Sequence, residues 1–464
     1  MDAGPIGTKK LSGWQLFSYG QLVVPLAVIG LPVAIYIPPF YSGTLGLDLA
    51  AVGFILMLAR LSDVVTDPLI GRWSDRTRTR WGRRRPWVAL GVPIMMISAY
   101  MLFVPQGTVS NLYLLIWIAS IYFGFTLITI PYGAWGAEIS GDYAERNRIT
   151  GSREIFTLIG LLVAITAPII AAYALDQGEN SASRGAMAAL GWLTVGLMPV
   201  CAIIMFISVP EPPIEEVRQI SFVQGMRVVM RNGPLRLILY TSILGALAGS
   251  INAGVAVMFF EHVAELGKAS VILIFVLFAA GVIGSPFWVT IGSRIGKHLG
   301  IAYAGIISLF VFSLVPVVIY WVKPHFPDMV MPAMFAITLI QGLTIGAAPI
   351  LGQSILADVV DLDTLKSGEQ RTAFIFAFLA MVRKAFEAIG VGIALPVLAW
   401  VGFNPATEIN SPTALFTLTA MYCLVPLVLW IISVAVIWQY PITRDRQVRL
   451  RIALEKRIIR RARD

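Results

Sequence analysis

The sequence predicts an all-α membrane protein of twelve transmembrane helices in two similar six-helix bundles. Three observations predict it. The chain is far more apolar than a water-soluble domain: 57% of its 464 residues are hydrophobic, 13% are charged, and the mean hydropathy is +0.79. Its apolar residues gather in runs of about twenty, the length that crosses a hydrocarbon core. Its Lys and Arg residues fall almost entirely in alternate connections between those runs.

Twelve runs lie roughly at 17–41, 49–71, 87–105, 112–136, 153–175, 187–209, 236–261, 270–292, 299–322, 329–357, 374–402 and 413–439. Several carry Gly and Pro, as in Leu31–Pro39 and Gly342–Gly352, which helices packed among other helices tolerate. The start, MDAGPIGTKKLSG, has no short apolar segment followed by a small-residue cleavage site, so the first run is expected to stay in the membrane. The two cysteines, Cys201 and Cys423, sit in apolar runs and imply no disulfide framework.

Orientation follows from charge. The even-numbered connections and the two tails hold 28 of the 35 Lys and Arg residues, whereas the odd-numbered connections hold Arg184, Lys268 and Lys323. That asymmetry predicts both termini in the cytoplasm. It also accounts for the net charge of +9 without a nucleic-acid partner. The basic tail from Arg444 to Arg463 is expected to lie as a helix on anionic membrane lipid.

The longest polar connection, Pro210–Arg236, separates six runs from six. The expected parts are an N-terminal bundle at 1–209, a cytoplasmic central loop at 210–236, a C-terminal bundle at 237–439 and a basic cytoplasmic tail at 440–464. The halves are weakly alike. AEISGDYAERNR follows the fourth run and ADVVDLDTLKSGEQR the tenth, while GSRIGKH after the eighth is a shortened version of the loop after the second. Such internal repetition is the pattern of secondary transporters whose bundles rock around a midplane site.

Charges inside the runs are the candidates for chemistry. Arg60, Asp63 and Asp67 stand three and four residues apart, hence on one helix face at a depth where charge is costly. Two carboxylates one turn apart can coordinate a hard cation or share a proton. The packing alternative has Arg60 merely neutralising Asp63, and Asp67 capping a turn beside Pro68. In the eleventh run, Lys384 and Glu387 can pair on one face, with Lys384 toward a cavity and Arg383 pointing elsewhere. Arg153 beside Glu154 opens the fifth run and either reaches the cavity or anchors at the interface. In the fourth run Thr126 and Thr129 lie a turn apart, followed by Pro131, Tyr132 and Trp135. They can complete a cation shell and stack a ring, or equally serve helix–helix hydrogen bonds and the aromatic belt. Gln21 and Gln353 are weaker candidates of the same kind. Asp75, among seven arginines between Arg72 and Arg85, is expected to form ion pairs that help close one side.

Enzymatic readings find little support. His262, His298 and His325 all fall in or next to connections, and no GxxxxGK[ST] phosphate loop is present. Neither a catalytic group nor a cofactor is expected. Energy must then come from an ion gradient or from the solute's own.

The stretch Asp63–Trp87, of pattern DxxxDPxxGxxSDRTxTRWGRRRPW, resembles the glycoside–pentoside–hexuronide:cation symporters, the melibiose-permease branch of the major facilitator superfamily. The loop carrying Asp142, Glu145, Arg146, Arg148 and Arg153, and the segment ADVVDLDTLKSGEQRTAFIFAF with VRKAFEAIG beyond it, match the same family, so the resemblance spans nearly the whole chain. It implies the major facilitator fold and a multi-pass protein of the cell inner membrane. It also implies alternating-access symport of a sugar, glycoside or related small solute with Na⁺ or H⁺. By the resemblance Asp63, Asp67, Thr66 and Thr126 hold the cation, with Asp63 and Asp67 the ligands of Na⁺. By the same resemblance Lys384 and Arg153 match solute-path residues. The residues themselves add Gln21, Tyr132, Trp135 and Thr129 as expected solute contacts, and Arg60, Asp75 and Glu387 as the expected gating charge network. Expected partners are the solute, the coupling cation and membrane lipids, with the protein acting as a monomer.

Two departures from the family bear on the solute. Where its sugar-binding aspartates of the first and fourth helices stand, this chain has Leu22 and Thr129. Its stacking Trp is replaced by Gly133, and Gly346–Ala357 contains no Trp. Cation coupling is therefore inherited more fully than sugar recognition, which leaves open an amphipathic, lysolipid-like solute. A non-transporting sensor would have no use for the paired acids.

The charge asymmetry yields a direct test. Alkaline phosphatase fused after Asn111 or Gln177 is expected to be active, and after Arg80 inactive; the reverse pattern overturns the orientation.

Overall fold

The computed structural model describes residues 10–139, 143–174, 179–211, 226, 230–267, 269–367, 372–407 and 409–441. The basic tail beyond Pro441, Asp142 and most of the central connection lie outside these residues. Apart from one isolated bridge at Thr79 and Gly82, the regular structure described is helical.

The order of helices, numbered along the chain, begins with α1 (Gly13–Gly20) and α2 (Val23–Ile35), then α3 (Leu49–Leu61), α4 (Asp63–Arg76), α5 (Arg85–Phe103), α6 (Asn111–Glu138), α7 (Tyr143–Ala174) and α8 (Glu179–Ser208). It continues with α9 (Gly233–His262), α10 (Ala269–Ile295), α11 (Lys297–Phe312), α12 (Val330–Ile345), α13 (Ala347–Ser367), α14 (Thr372–Trp400), α15 (Pro412–Thr419) and α16 (Val425–Trp438). Among the described residues, eleven helical segments are long and apolar enough to cross a membrane. The twelfth expected span corresponds to α14, whose hydropathy is interrupted by Arg383, Lys384 and Glu387.

Local chemistry explains the starts. Ser12, Asp48, Ser110 and Ser411 cap the helices that follow them, each side-chain oxygen accepting a backbone N–H three residues on. Ser12 and Gln15 complete a reciprocal capping box. The expected runs are also more broken than a straight helix. The first bends at Gln21–Leu22 and ends in a wide turn at Phe40–Thr44 after Pro38 and Pro39. The ninth loosens at Val318–Val322, beyond Pro316, and the tenth is interrupted at Gly346. Proline withholds an N–H and crowds the preceding turn, so each break follows from composition.

Contacts divide the chain into two compact units. Unit 1 comprises Met1–Glu216 with Val391–Asn410, and unit 2 comprises Val217–Gly390 with Ser411–Asp464. The end of α14 thus packs in unit 1, where Met57 of α3 covers Gly392. In unit 1, α6 packs extensively on α5 and also meets α3 and α4. In unit 2, α10 crosses α12 at backbone contact. A Cβ on Gly284 would strike the main chain of Leu343, and one on Gly342 would lie 2.5 Å from the Leu277 carbonyl. Trp288 then donates its indole N–H to the Leu343 carbonyl at 2.8 Å. Small residues that admit a neighbouring backbone are the usual basis of tight helix association in lipid.

Gly284→Ala forces those backbones apart and is expected to lower stability by about 1–3 kcal/mol, the usual cost of overpacking. The unfolding midpoint of the purified protein measures it; an unchanged midpoint contradicts the close crossing.

Candidate functional site

The candidate cation site is built where one long span changes helix. Ser62 separates α3 from α4, with its hydroxyl donating to the Ala59 carbonyl at 2.6 Å. Asp63 therefore opens α4, and Pro68 in the next turn withholds the N–H that Val64's carbonyl would accept. One turn on, Asp67 lies on the face where α4 packs against α6.

Two links join that face. Asp63, 1% exposed, accepts from the Arg60 guanidinium at 3.0 Å, and Arg60 in turn lies 4.9 Å over the ring of Tyr122 on α6. One turn along both helices, the fully buried Thr126 donates its hydroxyl to Asp67 at 2.8 Å. Thr66 lies between the two acids in sequence, and its buried hydroxyl oxygen has no hydrogen-bond partner. Two carboxylates and two hydroxyls, all hard oxygen donors, are the chemistry that fits an alkali cation as transported cargo. Thr129, the next turn of α6, is half-buried.

Other expected solute-path residues of unit 1 are engaged within it. Gln21 is buried and donates to the Cys201 carbonyl at 2.6 Å and to that of Ser18 at 3.2 Å, tying α1 to α8. Tyr132 stacks on Tyr19 with ring centroids 4.4 Å apart. Each tyrosine donates its hydroxyl to the other's backbone carbonyl, at 2.9 and 3.0 Å. Trp135 is fully buried, donates to the Pro210 carbonyl at 2.8 Å and lies under the Arg85 guanidinium. Arg153 pairs with its neighbour Glu154 at 2.8 Å. In unit 2, Lys384 is half-buried on α14, and Glu387 takes Arg383 as an i,i+4 partner at 3.2 Å. Arg383 thus shares the face of Glu387 and does not point away from it, because a helical spacing of four suits its long fork as well as three suits Lys384.

The arginine-rich connection after α4 forms a second, denser cluster. Arg84, 2% exposed, donates to Asp75 at 2.7 Å, to Glu138 at 2.5 Å and to the Ser74 hydroxyl at 2.8 Å. Burial works against its charge, but the bonds and charges of Glu138 and then Asp75 outweigh this and hold Arg84 above the ordinary guanidinium value. Arg83 also reaches Glu138, at 2.7 Å. One oxygen of Glu211 accepts the backbone N–H groups of both Arg83 and Arg84 at 2.6 Å, just before α5 begins. Gly82 has φ +105°, and a Cβ there would collide with Glu211. Asp75 is thus one of three acids in this network, not its centre.

Sequence reasoning missed Tyr19, Tyr122, Glu138 and Glu211. A signal for Glu138 was present in the repeated Ala–acid pair. Its counterpart Asp358, in unit 2, takes Lys297 at 2.6 Å. Tyr19, Tyr122 and Glu211 carry no pattern that would single them out.

Bundled apolar helices with acids and arginines buried between them define a multi-pass membrane transporter. A solved nucleoside transporter, NupG in a point-variant form, superposes with a TM-score of 0.66 at 14% identity, covering 91% of this chain and all of its own, which shows the major facilitator fold. The chain belongs to the MFS/sugar transport protein family, whose model matches residues 18–444. A sodium-dependent lysophosphatidylcholine symporter of Xenopus tropicalis is 23% identical over 457 residues, 90% of this chain and 83% of that protein. A putative glycoside/cation symporter of Escherichia coli, YagG, is 24% identical over 398 residues, 84% of each chain.

Removing one acid from the second cluster leaves Arg84 buried with less charge to balance it. Glu138→Gln is expected to lower stability by several kcal/mol, about 3–5 when a buried pair is broken outright. Asp75→Asn, at the network's more exposed edge, should preserve expression and insertion but slow transport. Melting curves of Glu138→Gln matching the wild type, or full-rate uptake by Asp75→Asn, contradict these roles in turn.

Proposed function

We propose that the protein is a secondary transporter that moves a small solute together with Na⁺ by alternating access. The observation that carries this is the pair of acids in α4, Asp63 joined to Arg60 of α3 and Asp67 to Thr126 of α6. A cation entering there can take Asp67, Thr126 and Thr66 as ligands, and Asp63 as its shared counter-charge with Arg60. Arg60 favours Na⁺ over H⁺, since a guanidinium already balances Asp63's charge and leaves less reason to protonate it. Lys384, Arg153 and Thr129 are proposed to meet the solute. Gln21, Tyr132 and Trp135 reach it only if their present bonds open. The charge asymmetry supports an inner-membrane protein with both termini in the cytoplasm, which we read as a monomer of two bundles, 1–209 and 237–439.

A sugar or glycoside is the first solute class proposed. The second, an amphipathic lysolipid-like solute, is favoured by one feature. Gly133, at the position of the family's stacking Trp, has open space where a Cβ would stand, so the wall lacks an aromatic platform and gains room. Relatives named for both solute classes are about equally similar.

Uptake into vesicles under a Na⁺ gradient at constant pH, against a pH gradient without Na⁺, tests the coupling ion. Uptake is expected under Na⁺ alone; uptake driven by the pH gradient alone overturns the Na⁺ assignment. Asp63→Asn should abolish uphill accumulation while leaving solute binding measurable, and concentrative uptake by that variant would falsify the site.

A further inference from the structure

The seven arginines between Arg72 and Arg85 divide into two groups. Arg83, Arg84 and Arg85 turn into unit 1, toward Glu138, Asp75 and Glu211. Arg72, Arg76, Arg78 and Arg80 are exposed, and those ion pairs do not use them.

The outer four are interleaved with aromatic surface held in a fixed shape. Trp73 is 52% exposed and Trp81 69% exposed. Trp73 stacks on Trp87 with centroids 6.4 Å apart, and the Trp87 indole donates to the Thr77 hydroxyl at 2.8 Å. Thr77 donates back to the Trp73 carbonyl, so the two indoles and the end of α4 are one assembly. The tip of the loop is also fixed. The Thr79 hydroxyl donates to the Gly82 carbonyl at 2.7 Å and the Gly82 N–H to the Thr79 carbonyl at 3.1 Å, which holds Arg80 and Trp81 outward. Below the indoles an apolar stripe runs down α4, where Val65, Leu69 and Trp73 recur every four residues and are all exposed.

A cluster that only sets topology needs charge near the span. It needs neither stacked indoles nor a clasped turn nor a continuous apolar stripe beneath. Guanidiniums above, indoles at the boundary and aliphatic side chains below match the three layers of a phospholipid in order. We propose that this face binds an anionic phospholipid, with its phosphate among Arg72, Arg76, Arg78 and Arg80 and its acyl chains along Leu69, Val65 and the Trp73–Trp87 pair. The inference rests on membrane insertion and not on the coupling ion.

Native mass spectrometry of the full-length protein, released from nanodiscs of phosphatidylcholine with graded phosphatidylglycerol, reads the bound lipid directly. The double variant Arg76→Gln/Arg80→Gln is compared with Arg231→Gln/Arg236→Gln, which removes the same charge from exposed arginines elsewhere. Phosphatidylglycerol retention is expected to fall at least tenfold in the first, given about 1 kcal/mol for each surface arginine, and less than twofold in the second. Phosphatidylcholine adducts should not change, and inorganic phosphate should not displace the lipid. Equal losses in the two variants, no loss in the first, or displacement by inorganic phosphate overturns the proposal. If the first variant does not fold, Trp81→Phe decides. Brominated phosphatidylglycerol should then quench its fluorescence less than wild type, and brominated phosphatidylcholine equally; unchanged quenching by the former overturns the assignment.

Discussion

The structure depends on how charge is balanced where water is scarce. An ionised carboxylate in an apolar bundle is costly unless a partner meets it, and breaking such a partnership costs more than forming it gains. Asp63 of α4 meets Arg60 of α3, and Asp67 of α4 meets Thr126 of α6. Asp63 therefore has a guanidinium beside it, and Asp67 accepts from a hydroxyl.

The same constraint shapes the helix ends. Arg84 is buried because Glu138, Asp75 and Ser74 surround it, and Glu211 fixes the backbone from which Arg83 and Arg84 project. Unit 2 repeats the plan in reduced form with Lys297 and Asp358. In each unit an acid that follows an alanine, Glu138 closing α6 and Asp358 within α13, meets a basic residue at or just before the start of another helix. The arginines that no such acid recruits remain outside, where an anionic bilayer can balance them.

Much of this was legible in the sequence. Hydropathy marked the spans, and charged residues inside them stood out because so few are tolerated there. The acids of α4 stand out by that rarity, and Thr126 by its spacing from Thr129 as well as by the family pattern. The partners were less legible. Periodicity tells which residues share a face but not which neighbouring helix that face meets, so Tyr122 and Tyr19 went unseen. For the same reason Gln21, Tyr132 and Trp135 looked like cavity residues, whereas their polar atoms are bonded to carbonyls of other segments. The break at Ser62 was hidden because serine is compatible with a continuing helix; only the positions of its neighbours reveal the interruption.

The central claim is that the α4–α6 face holds the coupling cation, and equilibrium binding of radiolabelled Na⁺ to the purified protein tests it without requiring the solute. The account predicts saturable binding of one ion, lost in Asp63→Asn and weakened at least tenfold, about 1.4 kcal/mol, in Asp67→Asn. Thr126→Ala, which removes one neutral ligand, should weaken it less. Saturable binding that survives unchanged in both aspartate variants would contradict it.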